Sequence, residues 1–291
     1  MSIKSIMVAY SGYEEEICAL DVAFQLAKRF HAHIDVWHIS EHPVDIITKY
    51  SGSGYVGPFY DEMVIDALEK PVEQAKIAAE KKFKELALNH EIEIGSSRIQ
   101  GKASASFLTA SGDASIILQT KGRLADLIVL TRMWDRRIGK ASEILQHCLF
   151  NTGRPVLAVP PGDHAITLNN KIAIAWDGSP QVTQTIALAM PLIRESSVSV
   201  ITAMSKNAKE FPIDPEEIAN ALAVHDVDVK TIWAEVMDGD LEETLLESAK
   251  SSNASILIMG TYTKNRLSEV IFGGTTEYML NCATCPILIS H

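Results

Sequence analysis

Two stretches of this chain read alike, and a chain that repeats its order of elements folds as copies of one smaller unit. Ile6-Met7-Val8-Ala9-Tyr10-Ser11-Gly12 is matched by Ile172-Ala173-Ile174-Ala175-Trp176-Asp177-Gly178. Arg154-Pro155-Val156-Leu157-Ala158-Val159 is matched by Cys285-Pro286-Ile287-Leu288-Ile289-Ser290. The copies differ where chemistry is expected: Ser11 faces Asp177, and Thr131 faces Gly260. A chain of 291 residues suits two domains, each with its own core. The expected boundaries are 1–160 and 168–291, with Pro160-Pro161-Gly162-Asp163-His164 as the linker, because Pro and Gly break both periods.

Within each copy, apolar runs alternate with helical patterns. Strands are expected at Ile6–Tyr10, Ile34–Ile39, Glu91–Ile99, Leu127–Leu130 and Val156–Val159. Helices are expected at Glu14–Phe30, Val72–Leu88, Ala114–Gly122 and Ser142–Phe150. The second copy repeats the order with strands at Ile172–Trp176, Val198–Ala203, Val229–Ala234, Ile256–Met259 and Ile287–Ile289. Its helices are expected at Gln181–Ile193, Pro215–Val224, Leu241–Ser251 and Thr275–Cys282. This alternation predicts an α/β protein with mostly parallel sheets between helices. Ser11 aligns with Asp177 at an offset of 166 and Gly112 with Gly239 at 127, so the first copy holds 39 extra residues between them. Much of the excess is expected in a Gly- and aromatic-rich loop at His42–Asp66, a lid, a docking surface or an ordinary long loop.

Composition narrows the function. The residues are 47% hydrophobic and 22% charged, as in globular proteins. No apolar run is long enough for a membrane span. Met1-Ser2-Ile3-Lys4 is expected to lead straight into a strand, without a signal peptide. A net charge of −11 opposes general nucleic-acid binding, yet backbone amides can still cradle one phosphate locally. Cys18, Cys148, Cys282 and Cys285 make a poor disulfide framework, which points to the cytoplasm. Cys282-x-x-Cys285 has no second Cys pair to complete a zinc site, and a structural role is expected. His31-x-His33 would need a third ligand close by to hold a metal, so solvated or half-buried histidine is expected. No Ser-His-Asp or Cys-His pattern stands in a recognisable context.

The strongest constellation lies in the second copy. Asp177-Gly178-Ser179 follows a strand, at the sheet end where parallel α/β folds take ligands. Its carboxylate suits a ribose hydroxyl or a metal ion, or else it caps the next helix. Met259-Gly260-Thr261-Tyr262-Thr263-Lys264 follows another strand and runs on to Phe272-Gly273-Gly274-Thr275-Thr276-Glu277, where a helix begins. Glycine lets backbone approach phosphate, and free amides at a helix start attract anions. Lys264 and Arg266 are expected to reach such phosphates; the alternative is a Gly-rich turn with a threonine cap.

On these residues the chain resembles the universal stress protein family. Nucleotide-binding members carry an Asp after the first strand and Gly-x2-Gly-x9-Gly-Ser/Thr after the fourth. Here the pattern reads Gly260-x2-Thr263-x9-Gly273, followed by Gly274-Thr275, so Thr263 and Gly274 depart from it. Gly239-Asp240 and Cys285-Pro286 also look like the family. The first copy has lost the signature. Thr131-Arg132-Met133-Trp134 and Ser142-Glu143 stand in its place, and Glu143 would repel phosphate although Arg132, Arg136, Arg137 and Lys140 make the loop basic.

The resemblance implies two flavodoxin-like (adenine nucleotide alpha hydrolase-like) domains, each a five-stranded mostly parallel sheet, packed as an intramolecular pseudo-dimer. It implies ATP, with or without Mg, held in the second domain by Asp177, Gly178, Ala203, Met259, Gly260, Thr263, Gly273, Gly274, Thr275 and Thr276. The first domain is expected to be a structural partner or to bind a different ligand. A cytoplasmic stress-response protein follows, with no nucleic-acid partner, no membrane span and little or no ATPase activity, and with a homodimer left open. An ATP-hydrolysing or adenylating enzyme and a ligand-free interaction module are the alternatives. Val156–Val159 and Ile287–Ile289 would each leave a bare apolar sheet edge, so they are expected to pair.

Overall fold

Short β-branched and aliphatic runs become strands buried on both faces, and the amphipathic segments between them become the covering helices. The computed structural model describes residues 2–40, 62–95, 99–132, 134–135, 140–141, 143–204, 213–236, 240–261 and 273–291. The first half supplies β1 (Ser5–Ala9), β2 (His33–Ser40), β3 (Glu93–Ile94), β4 (Ser104–Ser111), β5 (Leu127–Thr131), a ribbon of β6 (Trp134–Asp135) and β7 (Lys140–Ala141), and β8 (Val156–Val159). Its helices are α1 (Ile17–Phe30), α2 (Glu62–Asn89), α3 (Ala114–Gly122) and α4 (Glu143–Asn151). The second half supplies β9 (Lys171–Ala175), β10 (Ser197–Met204), β11 (Asp228–Glu235), β12 (Ile256–Ile258) and β13 (Ile287–Ile289). Its helices are α5 (Pro180–Ile193), α6 (Pro215–Ala223), α7 (Leu241–Ser251) and α8 (Gly274–Cys282).

All of these strands but the ribbon join one eleven-stranded sheet, ordered β11-β10-β9-β12-β13-β8-β5-β1-β2-β4-β3. From its middle the two halves run outward in the same order. Every neighbouring pair in this sheet is parallel except the central one, where β8 and β13 pair antiparallel with Ile287 opposite Ala158, Leu288 opposite Leu157 and Ile289 opposite Val156. The two edges expected to pair do so, and burying them against each other removes both from solvent. Two hydrophobic clusters follow, one on each face. Phe24, Trp176 and Ile186 lie in one, Leu145, Met279 and Ile287 in the other, and each draws on both halves.

In the second half the chain moves from β9 outward through β10 to β11, then returns to β12 on the other side of β9. This reversal opens a crevice at the carboxyl ends of β9 and β12. Side-chain caps fix the helices around it. Ser179 accepts from the Val182 amide, Asp214 from Glu216 and Asp240 from Glu243. Asp113 does the same for α3, accepting from Ser115 and Ile116. Asp113 and Asp240 are the aligned Gly-Asp positions, so that part of the repeat is a capping motif.

Three expectations are corrected. Of the strand expected at Glu91–Ile99, the described residues show Glu93–Ile94; it starts late because Glu91 takes a left-handed turn at φ +55 after α2, and residues 96–98 lie outside the described residues. The strand beside β2 is instead β4, which pairs with β2 over its full eight residues. Its polar sequence, Ser-Ala-Ser-Phe-Leu-Thr-Ala-Ser, hides the apolar signal. The helix expected from Val72 begins at Glu62, so residues 62–66 are helical; the rest of the expected loop lies outside the described residues.

Candidate functional site

The crevice holds a cavity of about 240 Å³ lined by Ala175, Trp176, Asp177, Ala203, Leu241, Leu245, Met259, Gly260, Thr275 and Thr276. Six of these are expected from sequence: Asp177, Ala203, Met259, Gly260, Thr275 and Thr276. Gly178, Gly273 and Gly274 adjoin it in the chain, and Thr263, Lys264 and Arg266 lie outside the described residues. The sequence reading does not single out Ala175, Trp176, Leu241 and Leu245. Trp176 carries the available signal, as the large residue just before Asp177.

Small side chains at the strand ends make the room. Ala175 ends β9, and Ala203 stands near the end of β10. Trp176 forms a wall: it is 3% exposed, and its indole Nε1 donates to the Ile213 carbonyl at 3.1 Å. Asp177 is exposed, and its Oδ1 accepts from the Ser179 amide at 2.9 Å. Among the described residues this is the carboxylate's only hydrogen bond. The cap of α5 is Ser179 rather than Asp177, and the acid shapes the turn between β9 and α5 with one oxygen. Gly178 takes φ +73, a conformation that glycine adopts without strain.

Gly260 and Gly274 have different reasons to be glycine. A Cβ on Gly260 would lie 2.7 Å from the Val182 amide nitrogen and 3.1 Å from the Gln181 carbonyl carbon. The first turn of α5 therefore packs directly on Gly260, which explains this glycine without a ligand. A Cβ on Gly274 meets nothing within 4 Å. Gly274 is the first residue of α8, after the cap Gly273 at φ −60, so the chain enters this helix without a left-handed cap. Gly273 has no side chain with which to cap α8, and the first intrahelical bond runs from the Glu277 amide to the Gly273 carbonyl. The amides of Gly274 and Thr275 thus precede the first intrahelical bond, at the helix start whose geometry attracts anions. Nearby acids oppose this: Thr275 Oγ1 donates to Glu242 Oε1 at 2.7 Å, and Glu277 sits in the first turn.

The first half fills the matching place with its own chain. The Ser11 amide donates to Glu16 Oε2 at 2.7 Å, and the Gly12 and Tyr13 amides also turn to this carboxyl. Burial pushes the Glu16 carboxyl above the usual range, and those amides pull it partly back. A Cβ on Gly12 would lie 3.0 Å from the Ala79 Cβ of α2. His38 Nδ1 donates to the Tyr10 carbonyl at 3.1 Å and the ring stacks on Phe107; burial lowers its proton affinity. Where the second half keeps Asp177 beside a cavity, the first sets a buried glutamate into its own amides. Glu143 is exposed, and Ser142 lies outside the described residues.

The other motifs resolve structurally. His33 is buried with its two ring nitrogens at 2.8 Å from Ser104 Oγ and 3.0 Å from Ser106 Oγ, while His31 is the left-handed cap of α1. The four cysteines are free thiols, Cys282 exposed at the end of α8 and Cys285 half-buried. Among the described residues, no helix is long and apolar enough to cross a membrane.

Residues 169–291 match the model of the universal stress protein family. A curated universal stress protein from Synechocystis sp. is 24% identical over 150 residues, 50% of this chain and 49% of that protein, so the chain spans about half the length of the relative it matches. A universal stress protein from Archaeoglobus fulgidus DSM 4304 superposes with a TM-score of 0.67 at 12% identity, covering 98% of this chain and 97% of that one. A functionally unknown protein from Pseudomonas aeruginosa PAO1 superposes with a TM-score of 0.54 at 17% identity, covering 99% of this chain and 92% of that one. At such identities the likeness is one of fold, and it extends across both halves. The second half of the chain is thus similar in sequence to the universal stress protein family, and the whole chain shares the fold of the superposed structures.

Proposed function

We propose that this chain is a universal stress protein that holds one adenine nucleotide, ATP, in the cavity of its second half and serves stress adaptation as a binding protein. One observation carries the reading: Asp177, Ala203, Met259, Gly260, Thr275 and Thr276, far apart in sequence, line a single cavity at the switch point of the sheet. The cavity, at about 240 Å³, is smaller than ordinary ligand pockets. The base and ribose therefore sit inside and the phosphates point outward. Trp176, Leu241, Leu245 and Met259 offer the apolar walls a base needs, and the Asp177 oxygen that has no partner among the described residues suits a ribose hydroxyl. The amides of Gly274 and Thr275 at the start of α8 face the phosphates, with magnesium brought by the triphosphate offsetting Glu242 and Glu277. The first half, its amides already taken by Glu16, serves as the structural partner within one chain.

The test is to denature freshly purified protein and identify released nucleotide by chromatography. Adenine nucleotide near one equivalent per chain supports the reading. Protein that carries none, and that takes up none on titration with ATP, favours a ligand-free interaction module. Phosphate release from ATP that disappears in Asp177→Ala favours an enzyme.

A further inference from the structure

The seam holds more than a strand pair, because two arginines of the first half cross it to reach helices of the second. Arg132 follows β5 directly and is 7% exposed. Its Nη1 donates to the Met279 carbonyl at 3.1 Å, and its Nη2 donates to the Ala283 carbonyl. The Met279 carbonyl also accepts the Ala283 amide that caps α8, and both carbonyls lie at the negative end of the helix dipole. Burial lowers the Arg132 pKa to about 10, so the guanidinium remains charged at neutral pH. A buried charge is tolerated only when it is well bonded, and here helix carbonyls supply the bonds. β7, from the ribbon that follows Arg132, also packs on α8. Arg29, in the last turn of α1, crosses on the other face of the sheet. Its Nε donates to Glu195 Oε2 at 2.8 Å, and its Nη2 donates to the Glu195 carbonyl at 2.8 Å and to Ser196 Oγ at 3.2 Å, just past the end of α5.

The two gripped helices are the ones whose opposite ends frame the cavity. α5 starts at the turn after Asp177, and α8 starts at the residues that present Thr275 and Thr276. They lie on opposite faces, Val182 and Ile186 of α5 in one cluster and Met279 and Leu280 of α8 in the other. α8 is a short rod of nine residues, with one hydrogen-bonded ladder along it, so fixing one end fixes the other.

We infer that Arg132 and Arg29 are positioning residues, through which the first half clamps the far ends of α8 and α5 and sets the shape of the nucleotide cavity in the second. The inference rests on the nucleotide reading above. It gives the degenerate half a specific role, since its loop after β5 carries an arginine that holds the helix of the neighbouring site. The two halves are then coupled energetically as well as joined.

The experiment uses the full chain with Arg132→Met, which keeps an apolar stem and removes both bonds, and Arg132→Lys, which restores one donor. Amide hydrogen exchange without ligand is followed over α8, with α3 and α6 as internal references. A fluorescent ATP analogue is titrated in parallel. Arg132→Met is expected to speed exchange in α8 by about tenfold and to weaken the analogue by about tenfold, with Lys intermediate, as fits coupling of this kind. Arg29→Met is expected to weaken binding by about two- to fivefold, and it carries the binding test if Arg132→Met does not fold. Parent-like binding in every variant that folds overturns the inference, and so does an exchange increase spread evenly over the references. If the parent binds neither the analogue nor ATP, the nucleotide reading fails on its own, and exchange in α8 alone decides whether the clamp exists.

Discussion

Replacing Gly260 by Ala separates two roles that this glycine would have in a nucleotide site. The added Cβ would sit 2.7 Å from the Val182 amide nitrogen and 3.1 Å from both the Gln181 carbonyl carbon and its Cβ. Two of these three neighbours are backbone in the first turn of α5, so no rotamer change relieves the contact. Ordinary contact begins near 3.4 Å. The turn must therefore retreat by roughly 0.7 Å in an interior packed like a crystal. Overpacking of this size costs about 1–3 kcal/mol. At about 2–4 °C per kcal/mol for a protein of this scale, the melting temperature should fall by about 2–12 °C with no ligand present. The assay is thermal unfolding of nucleotide-free parent and variant, followed by circular dichroism. A variant that melts with the parent yet no longer binds ATP would refute the packing argument and make Gly260 a glycine kept for phosphate.

Gly274→Val should behave in the opposite way. A side chain there meets open space, so circular dichroism and melting should stay close to the parent while ATP binding is lost; retained binding would mean that phosphate does not approach this turn. Glu16→Gln tests the filled first half. Burial raises the folded pKa of Glu16, so its contribution to stability is full below the ordinary glutamate value and is lost as pH rises through the folded one. Relative to Glu16→Gln, the parent should therefore lose stability from acid toward neutral pH, and a difference independent of pH would contradict the burial. Cysteine modification should be ordered. Cys282 is exposed and should react with a thiol reagent in the native protein, while Cys148, fully buried with its thiol pushed up to about 12, should react only on unfolding.

The centre of the sheet was legible because β5, β8, β9, β12 and β13 are short runs dominated by Val, Ile, Leu and Ala, the composition of strands covered on both faces. Val156–Val159, Ile287–Ile289, Ala114–Gly122 and Leu241–Ser251 fall where the apolar periods put them. β4 escaped because half of its residues are Ser or Thr, and its place is decided by pairing with β2 rather than by its own pattern. The early start of α2 was hidden for a related reason, since Pro71 interrupts the helical reading from within. At the cavity, Asp177 and the Gly273–Thr276 turn announced themselves through residue type and position after strands. Leu241 and Leu245 did not, because an apolar residue on a helix looks the same whether it lines a cavity or fills a core. The plugging of the first half by Glu16 was equally silent, since three consecutive glutamates read as a solvated helix start. Only the fold shows that the third of them turns inward.

The most direct measurement is the stoichiometry of ATP binding to the full chain by isothermal titration calorimetry, with Asp177→Ala as the control. The account predicts one nucleotide per chain, with binding weakened at least about tenfold, or about 1.4 kcal/mol, in the control. Two nucleotides per chain, or one that Asp177→Ala leaves untouched, would place the site elsewhere and contradict it.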